Sequence, residues 1–154
     1  MATVMIAVDG TESDRVVTGQ AIRLFGDDAT YLVVSVSDEP RVVGASSISY
    51  AAAATFSMPS LSNFADGLDD DIDEAEDVAE AAARASGLDH VEAVGEAGDP
   101  ATVLVEVARD RGVDVIVIGA SGRNWFSKLV DPSVEDAVVD RSPVPVLVVP
   151  IADD

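Results

Sequence analysis

A chain of 154 residues, 48% of them hydrophobic, is the size of one domain and carries enough apolar material for a proper core. Its 29 acidic residues against nine basic ones give a formal net charge of −20, so nucleic acid is a poor partner, because a phosphate backbone is gripped by clustered cations. The chain has no cysteine, which excludes disulfides, thiolate metal sites and cysteine nucleophiles.

The first element predicted is a buried strand, Val4-Met5-Ile6-Ala7-Val8, stopping at the turn Asp9-Gly10. A helix follows, with Thr11 or Ser13 as its cap and with Val17, Ala21, Leu24 and Phe25 on one face before Gly26. Tyr31 to Val36 reads as the second strand. Residues Glu39 to Asp66 are too long for a bare loop in a compact domain, so part of the segment should be helical or packed. Its apolar residues, among them Ile48, Tyr50, Phe56, Leu61 and Phe64, suit a lid, a contact surface or an ordinary covering helix.

Asp69 to Ala85 is expected to be helical. Its acids crowd the first turns, where the positive end of the dipole favours them, and Ala75, Val78, Ala79 and Ala82 form the inner face. The cluster Asp69-Asp70-Asp71-Ile72-Asp73 is read as this solvated helix start, since a helical run of acids does not specify cation geometry. His90 to Glu96 is a third strand. Gly98-Asp99-Pro100 then supplies a turn, an N-cap and a first-turn proline for a helix carrying Val103, Leu104, Val107 and Ala108. Asp114 to Ile118 is the fourth strand, opening into Gly119-Ala120-Ser121-Gly122-Arg123. Asp131-Pro132 is cap and first residue of a helix through about Val139, and Val144 to Val149 is the last strand, with Pro145 suited to a strand end or an edge.

Strands alternating with helices imply right-handed crossovers, hence an α/β fold with an open, doubly wound, five-stranded parallel sheet and helices on both faces. Ligands of such Rossmann-like sheets sit beyond the carboxyl ends of the strands, where the strand order reverses. Asp9-Gly10, Val36-Ser37 and Gly119 to Gly122 all fall at such ends. A glycine turn there offers bare backbone N–H groups, and phosphate is their usual ligand, although a tight turn without a ligand is the alternative.

The order and spacing of Ala7-Val8-Asp9-Gly10-Thr11-Glu12, Gly98-Asp99-Pro100, Gly119-Ala120-Ser121-Gly122 and Pro143-Val144-Pro145-Val146-Leu147-Val148-Val149 resemble the universal stress protein family over nearly the whole chain, residues 39–66 excepted. The resemblance implies one domain over residues 1–154, of the adenine nucleotide alpha hydrolase-like kind, binding ATP with Mg2+ as its accompanying cation. It also implies a non-catalytic stress-response role and a homodimer formed through Val144 to Val149. Members that bind ATP share a glycine, two residues, a second glycine, nine residues, then glycine and a hydroxyl residue. Gly119 and Gly122 match the first two, Arg123 to Asp131 are the nine, and Ser133 supplies the hydroxyl. By that resemblance Asp9 and the backbone around Ala7 and Val36 hold adenine and ribose, and Gly119 lies by the ribose. Gly122, Ser133 and the amide of Val134 face the phosphates, with Arg123 adding local positive charge.

Pro132 stands where the family pattern has its third glycine. Proline has no N–H to donate, and Asp131 is placed to cap the helix start that a phosphate would otherwise use. A second reading follows, in which the same fold has lost the nucleotide and acts through dimerisation and protein contacts. Catalysis finds little support in the residues. His90, the only histidine, sits in a loop or strand-edge context unsuited to a Ser-His-Asp triad. The glycine loop lacks a Walker-type Gly-Lys-Ser ending, and Asp9-Gly10-Thr11-Glu12 replaces the serine-glycine-glycine loop of the related ligases and hydrolases.

The longest uncharged stretch, roughly Val42 to Ala65, is too polar to cross a bilayer. The start shows no basic region ahead of an apolar segment, so a cytoplasmic location is the default expectation. An aspartate-rich, nearly lysine-free composition also resembles that of proteins from salt-accumulating microbes. There the Debye length shrinks from about 10 Å at 0.1 M to about 3 Å at 1 M and screens self-repulsion.

Overall fold

The computed structural model describes residues 1–37, 59–120 and 134–151. Strands and helices alternate in the order β1 (Thr3–Val8), α1 (Ser13–Phe25), β2 (Thr30–Ser37), α2 (Pro59–Ser86), β3 (Val91–Ala97), α3 (Pro100–Arg111), β4 (Val115–Ala120), α4 (Val134–Arg141) and β5 (Val146–Pro150). The five strands form one parallel sheet in the order β3-β2-β1-β4-β5. The doubly wound, Rossmann-like architecture expected from the alternation is the one observed.

Side-chain alternation along each strand divides the core in two. Met5, Ala7, Leu32, Val34, Val36, Ile116 and Ile118 face α3 and α4, where Leu104, Ala108, Val134 and Val138 cover them. Val4, Ile6, Val8, Tyr31, Val33, Val115 and Val117 face the other way, against Val17 and Ala21 of α1 and Ala79 and Ala83 of α2. The central strands are therefore apolar on both faces, as the unbroken runs in the sequence require. Tyr31 is fully buried, and its hydroxyl donates to the Gly26 carbonyl at 2.6 Å, tying the end of α1 to β2.

Helix ends follow the sequence signals closely at α3. The Asp99 side chain accepts from the Thr102 amide at 3.0 Å, Pro100 occupies the first turn, and Gly112 closes the helix in the left-handed conformation. At α1 the expected cap is corrected. Neither Thr11 nor Ser13 caps it; the Thr11 hydroxyl donates to Asp9 instead. Leu24, expected inward, is 59% exposed, because the buried stripe runs through Val17 and Ala21 and then reaches Phe25.

Helix α2 starts at Pro59, earlier than Asp69, and so takes up residues 59–66 of the long intervening segment. The remainder of the segment expected as lid or contact surface, residues 39–58, lies outside the described residues. Two strand boundaries also move. β4 continues through Gly119 and Ala120, which pair with Val149 and Pro150, so Gly119 is a buried strand residue rather than part of a turn. β5 begins at Val146 rather than Val144, since Pro145 precedes the ladder and contributes only its carbonyl, which accepts from the Ile116 amide at 3.0 Å.

Candidate functional site

The strand order reverses between β1 and β4, and the two strands part there. Their ladder runs only from Val4 opposite Val115 to Ile6 opposite Val117. On either side the pairing continues, β1 with β2 as far as Val8 and Ser35, and β4 with β5 as far as Ala120 and Pro150. The carboxyl ends of β1 and β4 therefore part at the switch point of the sheet, where folds of this type have the crevice that receives their ligands.

Asp9 stands at its mouth, half-buried, immediately after β1. One carboxylate oxygen, Oδ1, accepts from the Thr11 amide at 3.0 Å and from the Thr11 hydroxyl at 2.6 Å. The other, Oδ2, has no partner among the described residues. The turn itself is held by Asp14 in the first turn of α1. Asp14 Oδ1 accepts the Asp9 amide at 3.0 Å and Oδ2 accepts the Gly10 amide at 2.8 Å. Gly10 adopts φ +83°, a conformation that a side chain would strain, and this lets the chain reverse over Val78 of α2.

Asp14 is only 8% exposed. Burial pushes its carboxyl up to about 7 from the ordinary value of 3.8; the two amide bonds pull it down, and the charge and hydrogen bonding of nearby Asp9 push it up. Sequence reasoning passed over this residue. The available signal was an acid in a helix's first turn just after an Asp-Gly turn, a pattern seen here as two side-chain to backbone grips interlocked.

Ala7, Asp9, Val36, Gly119 and Val134 of the expected site are described, and the fold brings them to the same end of the sheet, at the carboxyl ends of β1, β2 and β4 and the start of α4. Ala7, Val36 and Val134 share one apolar cluster with Ile118. Gly119 faces the opposite layer, toward Val17 and Ile151. Gly122, Arg123 and Ser133 lie outside the described residues, as do Asp131 and Pro132. His90 is exposed before β3, at the amino ends of the strands and so at the wrong end of the sheet for this crevice. No cluster of three or more His, Asp or Glu side chains suited to a metal occurs among the described residues. No described helix is long and apolar enough to cross a membrane.

Comparison with known proteins agrees with this fold. Residues 1–150 match the profile of the universal stress protein family. The chain belongs to that family. A segment of 52 residues is 38% identical to the universal stress protein MJ0577 of Methanocaldococcus jannaschii; it covers 34% of this chain and only 32% of that protein. The solved MJ0577 structure superposes over 99% of this chain and 98% of its own, with a TM-score of 0.63 at 19% identity. UspA from Lactobacillus plantarum does so over 96% and 97%, with a TM-score of 0.64 at 19% identity. A universal stress protein solved in complex with cAMP covers 96% of this chain and 95% of its own, with a TM-score of 0.56 at 23% identity. At these identities the structural likeness establishes the fold.

Proposed function

We propose that this chain is a non-catalytic stress-response protein that binds an adenine nucleotide, ATP in the first instance, in the crevice between the carboxyl ends of β1 and β4. The observation that carries this reading is the parting of β1 from β4 after Ile6 and Val117, with the Asp9 carboxylate at the opening. Asp9 Oδ2 is suited to accept from a ribose hydroxyl or an adenine amino group. The backbone around Ala7 and Val36 is assigned to adenine and ribose by the family pattern, as Gly122, Arg123, Ser133 and the Val134 amide are to the phosphates. The cAMP complex of a fold relative supports the choice of an adenine nucleotide. Mg2+ enters on the phosphates, since the described residues offer it no carboxylate cage of their own. The protein pairs with a second copy through the open edge of β5 and works in the cytoplasm.

A second reading has the same fold acting without a ligand, through dimerisation and protein contacts. Two observations favour it. The Asp9 and Gly10 amides are already taken by Asp14, and Pro132 removes one amide from the phosphate-facing helix start. A thermal melt in high salt with and without ATP and Mg2+ separates the two. A ligand at a hundred times its dissociation constant stabilises by about 2.7 kcal/mol. A rise in melting temperature of roughly 5 to 10 °C supports the nucleotide reading, and none at millimolar ATP supports the second. Pro132→Gly should raise ATP affinity if the helix start faces the phosphates.

A further inference from the structure

We propose that Asp14 is the positioning residue of this site and its proton-sensitive switch: ionised, it holds the Asp9 and Gly10 amides and fixes the Asp9 carboxylate at the crevice, and protonated, it releases that grip. This inference rests on the nucleotide reading above for its functional consequence, but the switch itself is a property of the turn.

Both carboxylate oxygens of Asp14 are engaged, one per amide, at 3.0 and 2.8 Å. A carboxylate can satisfy two such donors at once. The acid form carries a proton on one oxygen, and that oxygen then meets an N–H poorly. The amide it loses belongs to Asp9 or to the residue after it. Asp9 is in turn tied to Thr11 through Oδ1, so its orientation depends on the turn that Asp14 closes. The Asp9 side chain also lies within hydrogen-bonding reach of Asp14 itself, a contact that raises the Asp14 carboxyl.

The charged surroundings favour proton uptake near neutrality. Asp9 at the end of β1 is the neighbouring charge that raises Asp14, and Glu12 in the turn is exposed. Arg15, next along α1, is exposed and lines the same groove, but it contributes no lowering of the Asp14 carboxyl. From α2 the groove beside Asp14 receives Ala82, Ala85 and Ser86, none of them titratable. At the carboxyl end of β4 and after β5, Gly119 and Ile151 present apolar atoms toward Val17. Burial beside one like charge, with no cation among the described residues lowering the carboxyl, is an arrangement that lets it titrate in the physiological range.

The sign of the effect on ligand affinity separates positioning from charge. Neutralising a carboxylate near ATP would, by charge alone, tighten binding on acidification. Loss of the clamp does the reverse. The experiment has two arms in high salt. In the first, the amide resonances of Asp9 and Gly10 are followed by NMR from about pH 5.5 to about pH 8.5, a window centred on the value of about 7 given by burial. They should shift together in the parent protein and stay flat in Asp14→Asn. Flat amides in the parent overturn the switch whether or not any nucleotide binds. In the second arm, dissociation constants are measured for ATP and for uncharged adenosine over the same range. Both should weaken on acidification by roughly tenfold to a hundredfold, the scale of one hydrogen bond to a charged group, with no such dependence in Asp14→Asn. Binding that tightens on acidification, or ignores pH while the amides titrate, overturns the coupling to the ligand. Titrating amides with no binding of ATP or adenosine at any pH support the switch but sink the nucleotide reading, and the coupling with it.

Discussion

Gly95 of β3 lies against the backbone of α2, where a Cβ added to it would fall 2.5 Å from the Glu76 Cα and 2.8 Å from the Ala75 carbonyl carbon. Backbone atoms of a packed helix cannot step aside as a side-chain tip can. The close approach puts Ala75 and Ala79 of α2 in the core, at 3% and 0% exposure. Gly95→Ala should therefore destabilise by the upper part of the overpacking range, about 2 to 3 kcal/mol, because α2 as a whole must lift from β3 and β2. Denaturant unfolding measures it. A loss below about 0.5 kcal/mol, the ordinary surface level, would mean the helix can shift freely.

Gly119 is constrained in a different way. A Cβ there meets Ile151 Cδ1 at 2.5 Å and Val17 Cγ2 at 2.9 Å. Ile151 is the end of a flexible side chain, whereas Val17 is fully buried and β-branched. Gly119→Ala should cost about 1 to 3 kcal/mol, and adding Val17→Ala should recover part of it, a non-additivity that a double-mutant cycle detects. If the double variant regains stability and binds ATP as the parent does, the glycine serves packing. Regained stability with lost affinity would assign it to the ligand instead.

These two glycines show where sequence reading stops. Gly119 drew attention as the start of a phosphate-binding turn, and Gly95 drew none, yet the fold uses both for close packing against helices. A glycine's role depends on what approaches it from far along the chain, and no local pattern records that approach. The elements themselves were legible, because unbroken apolar runs such as Val4 to Val8 and helical spacings such as Val103, Leu104, Val107 and Ala108 are local signals of burial. Asp9 was placed at a strand end from the Asp-Gly turn alone, whereas the grip of Asp14 upon it is a side-chain to backbone bond that spacing does not specify.

The proposed dimer makes a directional prediction at β5. The Ile151 amide donates to Ala120 of β4, so by alternation the Val149 amide also faces β4 and the Val148 amide faces the open edge. Val148 is 38% exposed. Val148→Pro removes only an edge-facing donor, so the fold should persist while strand pairing between copies fails. Sedimentation in high salt should show a dimer for the parent and a monomer for the variant. An unchanged dimer would move the interface away from this edge.

The net charge makes a prediction for the stability of the whole chain. Against a net charge of −20, the described residues form two ion pairs, Arg84 with Glu80 at 2.9 Å and Arg111 with Glu92 at 2.8 Å, both exposed. Exposed pairs contribute little, so most carboxylates repel one another without compensation. Raising KCl from about 0.1 M to multimolar levels should raise the melting temperature by several degrees, because a Debye length of about 3 Å at 1 M screens neighbours that about 10 Å does not. A circular-dichroism melt that is the same at both concentrations would refute the salt-adapted reading of the composition.

The pH dependence of stability isolates Asp14 from that general repulsion. Its carboxyl is raised from 3.8 to about 7 on folding, chiefly by burial. Between those two values the folded chain holds a proton that the unfolded chain has released. Stability must then rise as pH falls from about 7 toward 3.8, and Asp14 contributes no further slope above or below that window. Relief of surface repulsion has the same sign, so the parent alone cannot apportion the effect. Asp14→Asn, which cannot titrate, supplies the difference: its melting temperature should rise less than the parent's on going from about pH 8 to about pH 5. Equal slopes in the two proteins would place the Asp14 titration outside this range and remove the thermodynamic basis for a switch at the turn after β1.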